Sequence, residues 1–336
     1  MRELLWLQTA GTTDTELVGR DQIASLDSAK RTSVQLRLMG DRSSIGSIEE
    51  SASRIEVTSL APILAMGRSV EAALDSQRST ILFVPDPDPR FDWATYASRC
   101  DSVLTTEGRF ADSLRNAGID EVVLVEPVVS IRPSEHIPDI DRTSPVCCLH
   151  ARSSDWLSVE AFCEAWMMTP WTRDATLLLS SPDVPGVSAS RSVSSVAERC
   201  RRESAVDRIE SIGIPTPDQL DTIIMISDLV VSIPITSCGW PAVIAKACCV
   251  GKSTMCTRVH GIVSHVSAST WIDVPEIRGG TLGDADLPRD HLVDLFRLAI
   301  ERWSIEPELG RMLPSKTPMA SDVLDILSNQ LSLEGV

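Results

Sequence analysis

The stretch Asp228 to Thr257, DLVVSIPITSCGWPAVIAKACCVGKSTMCT, decides the fold. Leu229 to Ile233 is a short, apolar, β-branched run that suits a buried strand. Pro234 to Gly239 reads as a loop. Pro241 to Val250 is apolar and alanine-rich and predicts a helix, closed by Val250-Gly251. Pro241 falls at the first helical position, where proline is well tolerated. A strand that passes through Gly239-Trp240-Pro241 into a helix leaves backbone N–H groups free at the helix start. Together with the helix dipole they make a site for an anion such as a diphosphate.

Composition bounds what surrounds that stretch. The chain has 336 residues and 43% apolar content, enough for two domains with buried cores. No apolar run approaches the roughly 18 residues of a transmembrane helix. The start, MRELLWLQTAG, has too short an apolar core for a signal peptide and reads as a first buried strand. A cytoplasmic protein is expected. A net charge of −16 repels polyanions at long range, which counts against a surface that embraces DNA or anionic lipid. The nine cysteines are odd in number and form no C-x-x-C pair, which suits buried free thiols in a reducing compartment. Neighbours such as Cys147 and Cys148 point apart on a strand, so no zinc site is expected.

Strand, loop and helix signals alternate along the chain, which predicts an α/β fold with parallel sheets. Leu4 to Leu7 is the first strand, followed by a loop holding Gly11 and Thr12 and a helix over Glu16 to Lys30. The loop lacks G-x-G-x-x-G, so no dinucleotide cofactor is inferred. Ser33 to Leu38 and Arg54 to Leu60 read as strands, Ile63 to Leu74 as a helix, and Thr80 to Val84 as a strand. That strand runs into Pro85-Asp86-Pro87-Asp88-Pro89, a loop stiffened by alternating prolines. Asp86 and Asp88 stand where α/β proteins place functional groups; a solvated turn is the plainer reading. Cys100 to Leu104 and Glu121 to Val125 are strands flanking a helix over Glu107 to Asn116, with Thr106 as its N-cap and Gly118 at its end.

Residues 131–144 are polar and proline-bearing and read as an interdomain linker. Pro145 to Leu149 starts a second series, ending at His150-Ala151-Arg152 before a helix to about Met168. Further strands are expected at Ala175 to Leu179, Arg208 to Ile212 and Thr270 to Val274. Gly213 opens a turn, and Asp218 to Ser227 is a helix leading into the opening stretch. Pro288 to Trp303 is an amphipathic helix, with shorter helices at Glu306 to Met312 and Ser321 to Leu331.

Two of these stretches resemble GT-B glycosyltransferases. Gly239-Trp240-Pro241 matches the G-L-P element of the donor-site pattern, and Ala247-Cys248-Cys249 its A-C-G helix end. The paired glutamates of that pattern, one on the transferred sugar and one on a ribose, fall here at Thr236 and Ile244. Independently, Asp101-Ser102-Val103-Leu104 and Val125-Glu126-Pro127 fit the segment that ends the N-terminal domain in that family. The resemblance implies two Rossmann-like domains with parallel sheets facing a central cleft. It puts the acceptor domain at 1–130, the linker at 131–144 and the donor domain at 145–318. A closing helix at 319–336 would pack back on the first domain.

A nucleotide sugar of UDP or GDP type is implied as co-substrate, with no permanently bound cofactor. The acceptor is left open among glycan, small molecule, protein and modified DNA. Arg152 matches an arginine that meets the donor diphosphate, and a guanidinium suits phosphate oxygens; a surface arginine paired with Asp155 is the plainer reading. Thr236 and Ser237 would bond donor hydroxyls in place of a carboxylate, beside Gly239 and Trp240. Ser180 and Gly213 stand at turns that flank the nucleotide base in the family. Gly11, Thr12 and His260 are carried over to the acceptor side or the cleft. An inverting reaction would need a base, for which Asp86 or Asp88 is the choice.

Three functions follow: a sugar transferase, a GT-B-like protein that binds without transfer, and a viral-type transferase that modifies DNA or nucleotides. Two motifs mislead. Gly251-Lys252-Ser253-Thr254 imitates a P-loop, but Lys246 stands where the first glycine belongs and the sequence follows a helix. No G-x-S-x-G elbow occurs, so hydrolase chemistry has no support.

Overall fold

The computed structural model describes residues 2–9, 17, 21, 32–39, 63–66, 70, 74, 80–85, 87, 91–125, 129–132, 144–151, 156–180, 198–199, 209–213, 215–234, 240–259, 270–274 and 288–305. The chain divides into two compact units, the first built on Met1–Val129 and the second on Ser130–Lys316. The predicted strand at Arg54 to Leu60, the helices at Glu306 to Met312 and Ser321 to Leu331, and most of the linker lie outside the described residues.

The first unit holds a six-stranded sheet of β1 (Arg2–Thr9), β2 (Thr32–Met39), β3 (Ile63–Met66), β4 (Thr80–Val84), β5 (Ser102–Thr105) and β6 (Val122–Leu124). The spatial order is β2-β1-β3-β4-β5-β6, and every neighbouring pair is parallel. Helices α1 (Trp93–Ala97) and α2 (Gly108–Asn116) belong to this unit. Its core joins Ala65, Leu82, Val84 and Val103 to Trp93, Ala111 and Leu114.

Two expectations change here. Ile63–Met66 is a strand, where a helix was expected over Ile63 to Leu74; beyond it, Val70 and Leu74 are the described residues and both are helical. The strand lies between β1 and β4. A strand inside a parallel sheet is covered on both faces and shows neither period that would tell it from a buried helix. The cap of α2 also moves by one residue. Glu107 is the N-cap, its carboxylate accepting from the amides of Arg109 at 3.1 Å and of Phe110. Thr106 instead donates to the carbonyl of Pro85 at 2.8 Å.

The second unit repeats the plan with β7 (Val146–His150), β8 (Thr176–Ser180), β9 (Ile209–Gly213), β10 (Leu229–Ser232), β11 (Ser253–Thr257) and β12 (Thr270–Ile272). Read from one edge the order is β9-β8-β7-β10-β11-β12, all parallel. This is the Rossmann order, three strands laid one way and three the other. Gly213, expected to open a turn, is the last residue of β9. The helices are α3 (Trp156–Met168), α4 (Pro217–Ile226), α5 (Ala242–Cys249) and α6 (Arg289–Ile305). Phe162 and Phe296 join α3 to α6 with ring centroids 5.6 Å apart, and Arg289 and Glu164 bridge the same pair at 2.6 Å.

Local chemistry sets the ends of these helices. Thr216 and Gln219 form a reciprocal capping box at the start of α4, closing two donors that a helix start otherwise leaves open. Gly251 follows the C-cap of α5 with φ +69°. The Gly251 amide bonds the Cys248 carbonyl and the Lys252 amide bonds Ala247, the pairing of a Schellman end. The glycine in Gly251-Lys252-Ser253 is therefore a helix stop, and β11 follows it.

An aspartate pins the amino edge of each sheet in the same way. The Asp101 carboxylate accepts the Thr80 amide at 2.7 Å, while the Asp101 amide donates to the Thr80 carbonyl at 2.9 Å. Asp228 does the same to Val146, at 2.9 and 2.8 Å. Each aspartate precedes an inner strand, β5 or β10, and fixes where its neighbour begins.

A buried ion pair holds α4 to α5. Lys246 Nζ lies 3.3 Å from Asp221 Oδ1, and both side chains are fully buried. Lys246 also donates to the Ser130 carbonyl, and Asp221 Oδ2 accepts the Arg132 amide at 2.8 Å. The segment that enters the second unit is thus tied down by both charges. Replacing Lys246 with Met leaves the Asp221 charge buried without its cation. A loss of about 3–5 kcal/mol is expected, read as a lowered urea midpoint. A loss below about 1 kcal/mol would show that the carboxylate is satisfied without the lysine.

Candidate functional site

In open parallel sheets ligands bind outside the carboxyl ends of the strands, where the strand order reverses. In the second unit that point lies between β7 and β10. Three strands around it are apolar runs that end in a polar residue: Val-Cys-Cys-Leu-His150, Thr-Leu-Leu-Leu-Ser180 and Leu-Val-Val-Ser232. His150 registers directly with Ser180. Ser232 follows Val231, which registers with Leu149. Residues in register on parallel strands share a face, so the three polar side chains form one row at the carboxyl edge.

His150 and Ser232 are half-buried, and Ser180 is fully buried. The Ser180 hydroxyl lies 2.8 Å from Nδ1 of His150, and the Ala151 amide donates to the Ser180 carbonyl at 3.1 Å. Burial pushes the Cys148 thiol up to about 12, and the neighbouring Ser180 hydroxyl pulls the other way. Gly213 stands beyond Ser180 on β9, across a break in register. The structure therefore brings Ser180 and Gly213 together with His150, a residue that sequence patterns did not single out. Its signal was present in the three apolar runs that each end on a polar side chain.

The predicted anion site begins at Trp240. Helix α5 starts at Ala242, one residue later than expected, and Pro241 is its N-cap with φ −83° and ψ 74°. Among the described residues no side chain caps this helix. The Ala242 amide donates to the Trp240 carbonyl at 3.0 Å, and the Ala245 amide to Pro241 at 2.9 Å. Between them, the amides of Val243 and Ile244 have no acceptor among the described residues. Trp240 is 5% exposed and Ile244 1%. The Thr257 hydroxyl donates to the Pro234 carbonyl, which fixes the start of the loop between β10 and α5. Further along the edge, the Arg258 guanidinium lies over the Trp271 ring at 5.2 Å and pairs with Asp273 at 2.7 Å.

Arg152, Thr236, Ser237, Gly239, Asp86, Asp88, Gly11, Thr12 and His260 lie outside the described residues. The strand end that leads to Asp86 is well held: Thr105 donates to the Val84 carbonyl and Thr106 to the Pro85 carbonyl, each at 2.8 Å. Among the described residues no group of His, Cys, Asp and Glu side chains is placed to hold a metal ion. No described helix is long and apolar enough to cross a membrane.

Two all-parallel six-stranded units, the second in Rossmann order, make this a GT-B fold, and whole-chain similarity to solved structures agrees. Anabaena HepE, solved with UDP and glucose, superposes with a TM-score of 0.68 at 14% identity, over 99% of this chain and 100% of that one. Sucrose-phosphate synthase from Thermosynechococcus elongatus gives 0.69 at 12% identity, over 99% of each chain. A putative UDP-N-acetylglucosamine 2-epimerase from Listeria monocytogenes gives 0.63 at 10% identity, over 98% of this chain and 96% of that one. No family model and no curated protein matches the sequence.

The thiols around the site are predicted to be inert. Cys147, Cys148, Cys163 and Cys256 are buried and free, and burial pushes Cys147 far above the ordinary thiol range. Thiolate is the reactive form, so iodoacetamide at pH 8 is expected to leave these four unmodified in the native chain. Urea is expected to make them reactive, as read by peptide mass mapping. Labelling of Cys148 in the native chain, at a rate above that of unfolding, would contradict the placement of β7.

Proposed function

We propose that the protein is a glycosyltransferase that takes a sugar from a UDP- or GDP-type nucleotide sugar. One observation carries this: a helix start at the reversal point of a Rossmann-ordered sheet, with two amides that have no acceptor among the described residues. Such a start attracts a diphosphate through its N–H groups and its dipole. The fold neighbour solved with UDP and glucose, also solved with UDP-glucose, supports a donor of this class.

In the reaction the bond from sugar C1 to the diphosphate oxygen breaks, and its electron pair leaves with the diphosphate. The acceptor hydroxyl forms the new bond to C1 and releases its proton. Stabilising the charge that grows on the diphosphate is the main catalytic task. The amides of Val243 and Ile244 and the Arg152 guanidinium would do this. Thr236 and Ser237 would hold donor hydroxyls, with Gly239 and Trp240 shaping the turn. If configuration inverts, Asp86 or Asp88 would take the acceptor proton.

A second reading, binding without transfer, is favoured by one specific observation. Ile244 stands where the family pattern has its second glutamate, and it is buried at 1% exposure. No carboxylate at that position is available for a ribose hydroxyl.

The two readings separate in one set of measurements. Calorimetry with UDP, GDP and their glucose conjugates is expected to show saturable binding to the wild-type chain. Arg152→Ala is expected to weaken that binding at least tenfold, the size of a lost charge-assisted contact. Release of UDP from UDP-glucose in cell extract would establish transfer. Binding without release would leave the second reading, and no binding of any of these nucleotides would remove both.

A further inference from the structure

We propose that the buried pair of Lys246 and Asp221 is a clasp that couples nucleotide binding at the start of α5 to the order of residues 130–132. This rests on the nucleotide-sugar reading above and assigns to its site two positioning residues that reading does not use.

The pair stands where apolar residues would serve the packing. Lys246 lies within α5, where every residue from Ala242 to Ala247 is buried, and Asp221 lies among the buried residues of α4. Their side chains are fully buried and 3.3 Å apart. Taking two charges out of water is so unfavourable that well-packed apolar side chains of similar volume often hold such a junction at least as firmly. The junction of α4 with α5 therefore gives no reason for charge. What two apolar side chains could not do is bind a carbonyl and an amide, and the chain supplies one of each. Lys246 donates to the Ser130 carbonyl, and Asp221 Oδ2 accepts the Arg132 amide at 2.8 Å. Residues 130–132 lie in neither helix nor strand, and Arg132 is exposed. The second unit begins at Ser130. The two charges thus serve the chain's entry into that unit.

Coupling follows from what either charge loses by moving. Helix α5 has eight residues, and Lys246 is the fifth. The amides of Val243 and Ile244, proposed above to hold the diphosphate, lie within one turn of it. If α5 shifts or frays, its ammonium leaves both Asp221 and Ser130. The carboxylate then stays buried without its cation, which is strongly unfavourable. Helices α4 and α5 and residues 130–132 therefore open together rather than one by one. A diphosphate that binds only the closed form of α5 lowers the population of the open form. Lys246 passes that change to Ser130, and Asp221 passes it to Arg132.

The test uses the full chain, with UDP and GDP as probes and amide hydrogen exchange as the readout. In the wild-type chain, nucleotide at about ten times its Kd is expected to slow the Arg132 amide and the amides of α5 alike, by about tenfold. Lys246→Met/Asp221→Asn removes both charges and leaves Arg132 a carbonyl acceptor on α4. In that variant the nucleotide is expected to slow α5 and to leave the Arg132 rate unchanged. Melting temperatures without ligand show whether the variant folds; where it does not, the wild-type comparison decides by itself. Slowing of α5 without slowing of Arg132 in the wild-type chain would overturn the proposal and leave the nucleotide-sugar reading standing. So would equal slowing of Arg132 in the variant. A wild-type chain that binds neither nucleotide would overturn this proposal and that reading together.

Discussion

The second unit depends on one constraint of chain topology. Parallel strands need crossovers, and the crossovers have one hand. A chain that lays β7, β8 and β9 in one direction must return to β7 before it can extend the other way. At that return the connections after β7 and after β10 leave the sheet on opposite faces, so a gap opens between them at the carboxyl edge. Nothing about the ligand is needed to make this gap. The side chains at its rim decide what it can hold, and here they are His150 and Ser232 with Ser180 behind them.

The amino edge and the carboxyl edge of this sheet are built from different chemistry. Asp228 fixes Val146 through two hydrogen bonds of 2.9 and 2.8 Å. Register set at the start of β7 and β10 propagates along strands of only a few residues, so the positions of His150 and Ser232 follow from it. Lys246 and Asp221 then fix the helix that follows β10 against the one that precedes it, and bind Ser130 and Arg132 as well. A buried pair of this kind contributes little net stability against an apolar replacement, yet removing one member costs much. It therefore specifies an arrangement more than it strengthens one. The arrangement specified is that of α5, the helix whose start faces the gap.

Most of this architecture was legible in the sequence. Apolar runs marked the buried strands, and Gly118 and Gly251 marked helix ends. Ile63–Met66 was misread because a strand covered on both faces loses its period, and a helix does follow it at Val70 and Leu74. The cap at Glu107 was misassigned because Thr106 is the better N-cap residue in isolation. In the fold its hydroxyl is taken by Pro85, a contact 21 residues distant. The site was less legible than the fold. Lone histidines and serines carry no spacing signal, and only the register of β7 on β8 brings His150 to Ser180.

The burial of α5 limits how any ligand can be recognised. Every residue from Ala242 to Ala247 is buried, so the first six residues of the helix offer no exposed side chain to a bound molecule. In its first turn the amides of Val243 and Ile244 have no acceptor among the described residues, and such amides attract any anion and distinguish none. An acidic side chain at position 244 would have supplied selectivity, but Ile244 packs into the core instead. On the proposed function, selectivity for a particular donor would come from the sequence that flanks the helix start. That sequence includes Arg152 after β7, and Thr236 and Ser237 after β10. On that proposal, recognition would rest on neutral and cationic donors around the helix start rather than on a carboxylate within it. Such donors favour contacts to phosphate, which accepts hydrogen bonds, over contacts to hydroxyl protons, which need an acceptor.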